Sequence, residues 1–132
     1  MRRVLLFVFI IANILHALAN EPNCFLTPKV IVYITNGLSE PLYLHCESKH
    51  DDLKDHILVT NQDFHWSFCE TIDLSTKFTC KLLAPTSKRV VSFCAYESLR
   101  RDDCIKNKCL WIARDDGIYF FGSNYYDWNP IS

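Results

Sequence analysis

The sequence predicts a small secreted all-β protein, a single-domain β-sandwich of about eight antiparallel strands cross-linked by disulfides. Three observations predict it. An apolar N-terminal leader marks the chain for export. Apolar and polar residues then alternate with period two along the rest of the chain, and seven cysteines lie in that part.

The leader comes first. Met1-Arg2-Arg3 is basic, Val4 to Leu15 is almost wholly apolar, and Ala17-Leu18-Ala19 has the small-x-small pattern of a cleavage site. Together these read as a signal peptide over residues 1–19, leaving residues 20–132 as the mature domain. A bilayer span needs roughly 20 apolar residues. This run is shorter and is interrupted by Asn13, so no membrane insertion is expected after cleavage.

The strands follow in order. Val30, Val32 and Ile34 alternate with Ile31, Tyr33 and Thr35 until Asn36-Gly37 breaks the run. Leu42, Leu44 and Cys46 share a face opposite Tyr43 and His45. His56 to Val59 is a short apolar run. Phe64, Trp66 and Phe68 alternate with His65, Ser67 and Cys69. Phe78, Cys80 and Leu82 form another face, and beyond Ala84-Pro85-Thr86-Ser87 so do Val91, Phe93 and Ala95. Leu110–Ala113 and Ile118–Phe121 flank Arg114-Asp115-Asp116-Gly117, a hairpin signal because Asp-Gly tolerates positive φ. Short period-two runs at hairpin spacing favour a sandwich or barrel.

In an oxidising compartment seven cysteines imply disulfides and an odd one left over, either free or joined to a second molecule in a covalent dimer. Cys46 and Cys80 fall on apolar faces, and Cys104 and Cys109 flank a polar loop. These four are expected to form the core framework, paired Cys46–Cys109 and Cys80–Cys104. Cys69 and Cys94 fall on polar faces and Cys24 precedes the first strand, so these three are additional.

Several function classes are disfavoured. The chain has 14 basic and 15 acidic residues. Because Arg2 and Arg3 leave with the leader, the exported protein is slightly acidic and lacks the basic stripe that neutralises phosphates, so no nucleic-acid partner is expected. No CxxC pair is present, and Cys104-x4-Cys109 lacks a histidine cluster to complete a zinc site. Asp51-Asp52-Leu53-Lys54-Asp55 offers three carboxylates without the glycine of a calcium loop, so turn formation is the expected role. His45, His50, His56 and His65 form no catalytic pattern, and Ser67 and Ser92 lie outside any nucleophile elbow. Neither catalytic residues nor a metal or other cofactor are expected, and the protein is expected not to be an enzyme.

The residues along the chain resemble the plant self-incompatibility S-protein family. The resemblance rests on Val32-x-Ile34-x-Asn36 with Leu38, Leu44-His45-Cys46-x-Ser48, Asp51-Asp52-Leu53, Thr76-x-Phe78-x-Cys80, Cys104-x4-Cys109-x-Trp111, Asp116-Gly117 and a closing aromatic segment with Trp128. It implies a secreted β-sandwich with two disulfides among the four framework cysteines. It also implies a ligand for a cell-surface receptor, in rejection of self pollen or a related plant cell–cell signal. Lys54 departs from the pattern, standing where the family has a glycine.

Charged loops are the expected contact surface. One comprises Glu97, Ser98, Leu99, Arg100, Arg101, Asp102 and Asp103; the other contains Lys49, His50, Asp51 and Asp52. Arginine can pair with carboxylates in two-pronged fashion, and a disulfide beside a loop reduces the entropy lost on binding. The alternative is an extracellular inhibitor or a carbohydrate-binding module on the same scaffold, for which Tyr125-Tyr126-Asp127-Trp128 supplies aromatic faces. No N-glycosylation sequon occurs.

Overall fold

The alternation in the sequence is the burial pattern of the folded chain. The computed structural model describes residues 22–131, and the expected signal peptide lies outside the described residues. Strand β1 (Lys29–Asn36) buries Val30, Val32 and Ile34 completely. β2 (Leu42–Glu47) buries Leu42, Leu44 and Cys46. β5 (Lys77–Ala84) buries Phe78, Cys80 and Leu82, and β6 (Arg89–Glu97) buries Val91, Phe93 and Ala95. Successive side chains of a strand point to opposite faces, so each run offers one apolar face to the core.

Five further strands complete the sandwich with β7 (Lys108–Arg114). They are β3 (Asp52–Leu58), β4 (Asp63–Cys69), β8 (Gly117–Phe120), β9 (Ser123–Tyr126) and β10 (Asn129–Pro130). One five-stranded sheet has the order β4-β1-β7-β8-β9 and the other β10-β6-β5-β2-β3. Two points differ from the expectation of about eight antiparallel strands. β9 and β10, with four and two residues, are too short to show a period in the sequence. The central pairing of β1 with β7 is parallel, Ile31 opposite Lys108 and Ile34 opposite Trp111. The β7–β8 hairpin forms as read, Arg114 opposite Gly117. A side chain at Gly117 would meet the Tyr126 carbonyl at 2.7 Å, so close approach of backbone requires the glycine.

The disulfide framework differs from the expected pairing of Cys46 with Cys109 and Cys80 with Cys104. The bonds are Cys46–Cys80, Cys104–Cys109 and Cys24–Cys69. Cys46 and Cys80 are directly opposite on neighbouring strands β2 and β5, with Cα atoms 4.0 Å apart. Cys109 is on the other sheet. The direct pairing of β2 with β5 sets Cys46 against Cys80 and leaves Cys46 no sulfur for a bond across the core. Cys109 instead closes the short loop back to Cys104. Cys24 ties the segment before β1 to the end of β4. Cys94 is the free cysteine, half-buried, its thiol donating to the Tyr96 carbonyl at 3.3 Å.

The far end of the sandwich, where β1 finishes, is closed by polar and aromatic groups. Asn36 is fully buried, yet its amide nitrogen donates to the carbonyls of Glu40 and Leu58 and its oxygen accepts from the Leu38 amide. A buried amide satisfied in this way avoids the desolvation penalty of an unpaired polar group. Trp128 donates to the Arg114 carbonyl at 2.6 Å, and Arg89 lies over its ring while pairing with Asp115. Trp128 thus packs over this end.

A candidate ligand-presenting end

The opposite end, where β1 and β7 begin, collects the chain's other loops. The strand register brings there the segment preceding β1, the turn after β2, the 70–76 loop after β4 and the 98–107 connection after β6. The Cys24–Cys69 and Cys104–Cys109 bonds lie in these segments, and Cys46–Cys80 lies near the same end of its sheet.

Both loops expected from the sequence are at this end. Ser98–Asp103 is a 3-10 helix directly after β6. Lys49, His50 and Asp51 are exposed in the turn between β2 and β3, where the Ser48 amide donates to the Asp51 carbonyl at 2.8 Å. Asp52 already belongs to β3, so the acidic segment read as a loop through Asp55 is mostly strand.

A buried carboxylate anchors the 3-10 helix. Glu70 is 2 % exposed. It accepts hydrogen bonds from the Tyr96 hydroxyl and, at 2.5 Å, from the Ser98 hydroxyl. Burial first, and then the bond to Glu70, raises the pKa of the Tyr96 phenol, so the phenol stays protonated and donates. The Ser98 amide also donates to the Thr76 carbonyl at 3.0 Å. The 70–76 loop and the 3-10 helix are therefore joined at their bases.

Arg100 acts within the chain. Its guanidinium donates to the Tyr125 hydroxyl at 3.0 Å and to the Cys94 carbonyl at 3.4 Å, and it pairs with Glu97 at 3.5 Å. It also lies over the Tyr125 ring. Arg101 is half-buried, whereas Asp102 and Asp103 are exposed. Leu99 projects outward and is 82 % exposed.

Leu99 has company that the sequence did not single out. Phe25 and Leu26 before β1, Ile72 and Leu74 in the 70–76 loop, and Ile105 beyond the 3-10 helix are all exposed at this end. The available signal was apolar residues embedded among turn formers, as in Thr71-Ile72-Asp73-Leu74-Ser75. Beside Ile105 an open basin of about 370 Å³ is lined by Asp103, Phe120, Phe121, Ser123 and Tyr125. The arrangement offers apolar contact and a carboxylate.

Comparison with known proteins agrees with this architecture. Residues 31–131 match the family model for plant self-incompatibility protein S1. The chain is 38% identical over 104 residues to S-protein homolog 11 of Arabidopsis thaliana, covering 72% of each chain. It is 32% identical over 105 residues to self-incompatibility protein S1 of Papaver rhoeas, covering 76% of this chain and 74% of that one. A solved structure of self-incompatibility protein homologues aligns with a TM-score of 0.61 at 19% identity, over 78% of this chain and 96% of the other. That family is described as small, highly stable, secreted proteins from plants. With the family match spanning most of its length and relatives above 30% identity, the chain belongs to the plant self-incompatibility S1 family and is a secreted, disulfide-bonded protein.

Proposed function

We propose that this protein is a non-enzymatic signalling ligand, recognised by a cell-surface receptor through the loops at its disulfide-bearing end. Rejection of self pollen, or a related plant cell–cell signal, is the biological setting that family membership supports. The observation that carries the reading is the gathering of Phe25, Leu26, Ile72, Leu74, Leu99 and Ile105, all exposed, on loops held by disulfides. Exposed apolar side chains gathered on one surface mark interaction sites, and anchoring lowers the entropy lost on docking.

Binding of labelled mature protein to intact plant cells tests the reading. Binding that disappears when the cells are treated with protease, and weakens at least tenfold in a Leu99→Asp, Ile105→Asp double variant, supports it. Binding untouched by either treatment overturns it. A carbohydrate-binding role on the same scaffold is favoured by the Phe120, Phe121 and Tyr125 basin, because sugar faces stack on aromatic rings. Protease-insensitive retention on cell-wall polysaccharide, lost in Tyr125→Ala, is the outcome that reading requires.

A further inference from the structure

The outer face of the β2–β3 hairpin holds a second constellation, separate from the loops just described. His45 and Glu47 are two apart on β2 and share that face, opposite the buried side of Leu44 and Cys46. On β3, Asp55 stands opposite His45 and Asp52 opposite Glu47. Residues three apart on a regular strand point to opposite faces. Here both carboxylates reach the same face because the register shifts between His45 and Glu47, a β-bulge in which Lys54 takes φ 69°. The bulge is held by the Lys54 amide, which donates to Asp52 Oδ1 at 2.8 Å.

The His45 ring sits between these groups. Nδ1 is 2.6 Å from Asp55 Oδ1, so it carries a proton and donates it. Nε2 lies 2.7 Å from Asp52 Oδ1 and 3.9 Å from Glu47 Oε2, so in the metal-free protein it donates its own proton to Asp52, and a bound ion would take that proton's place. Nε2 and the two carboxylate oxygens all lie within 4.8 Å of one another. A tetrahedral ion with bonds of about 2.1 Å sets its ligands about 3.4 Å apart, and the two distances from Nε2 bracket that spacing. A carboxylate behind the imidazole is the usual second support of a histidine ligand. Against three carboxylates stand this ring, Lys81, which is in register with His45 on β5, and Lys54, whose charge acts on Asp52.

We propose that His45 Nε2, Asp52 and Glu47 form a binding site for a divalent first-row transition ion of the Zn2+ type, with Asp55 orienting the ring. One nitrogen and two carboxylate oxygens suit such an ion. Ca2+ requires six or more oxygens, which the hairpin does not provide. The fourth coordination position faces outward, open to water or to a side chain of a partner. The site is independent of the receptor reading and stands or falls without it.

Calorimetric titration of the metal-free, disulfide-intact protein with Zn2+ tests the site. One saturable site is expected, abolished in His45→Gln and weakened about tenfold in Asp55→Asn, which leaves the proposed ligands in place. His65→Gln, altering a histidine on β4 that pairs with Asp63 outside the site, is expected to bind as wild type. Absence of saturable Zn2+ binding, or equal binding by His45→Gln, overturns the proposal. Should the His45 variant fail to fold, paramagnetic Co2+ on the wild-type protein decides. Resonance broadening centred on residues 45, 47 and 52 supports the site, and broadening centred elsewhere overturns it.

Discussion

The indole nitrogen of Trp111, on β7 of one sheet, donates a hydrogen bond of 2.9 Å to the carbonyl of Ala95, on β6 of the other. Both residues are 3 % exposed. The bond crosses the sandwich interior, where the rings of Phe93, Phe120 and Tyr126 pack against Trp111. Replacing Trp111 by Phe keeps much of the apolar volume but leaves the Ala95 carbonyl without this partner. A loss of about 1–3 kcal/mol is expected, read as a lower urea midpoint at constant slope.

Peptide mapping under non-reducing conditions is expected to yield Cys24–Cys69, Cys46–Cys80 and Cys104–Cys109, with Cys94 alone alkylated by a thiol reagent under denaturing conditions. The bonds close loops of very different size, with sequence separations of 45, 34 and 5 residues. In the chain-entropy picture their removal as Ser pairs destabilises by about 4, 4 and 2 kcal/mol respectively. The rank order is the checkable outcome: Cys104→Ser with Cys109→Ser is the mildest pair.

Lys54 occupies the left-handed region at φ 69°, where a side chain costs about 1 kcal/mol or more relative to glycine. Its position is the one where the family resemblance leads us to expect glycine. Lys54→Gly is expected to stabilise by about 0.5–1 kcal/mol once the greater freedom of glycine in the unfolded chain is subtracted. Thermal unfolding checks this. A midpoint lower than wild type contradicts it.

The His45 ring titrates above the ordinary 6.5. The hydrogen bond to Asp55 is the largest cause, partly opposed by desolvation, with Asp52 adding to the rise. Asp52 titrates below 3.8, chiefly because it accepts the Lys54 amide. The sign follows directly. The contribution of His45 to stability is complete below pH 6.5 and fades as pH rises through the elevated value. That of Asp52 is present above 3.8 and fades as pH falls through the depressed value. NMR titration of the metal-free protein is expected to show the His45 ring midpoint above 6.5, and above its own midpoint in an Asp55→Asn variant.

Much of the fold was legible because period two is a local property. Val30, Val32 and Ile34, or Phe78, Cys80 and Leu82, declare their buried face without reference to any other segment. Asp116-Gly117 likewise declares its own hairpin, since the constraint lies within a few residues. The 98–103 connection was legible in the same way, as a charged segment after an apolar run, whereas the segment from Asp52 was not, because β3 begins there.

What the sequence by itself determined is therefore the class: an exported chain of alternating strands, stapled by cysteines, with its loops exposed. Only the tertiary structure decided the partners. It set β1 beside β7 in parallel, put Cys46 across from Cys80 and left Cys109 to Cys104. It turned Arg100 inward onto Tyr125 and brought Asp52 and Asp55 around His45. Alternation specifies which face a side chain occupies, but not which distant strand will pair with its own. That choice belongs to register and to packing between two sheets, which no short window of residues contains.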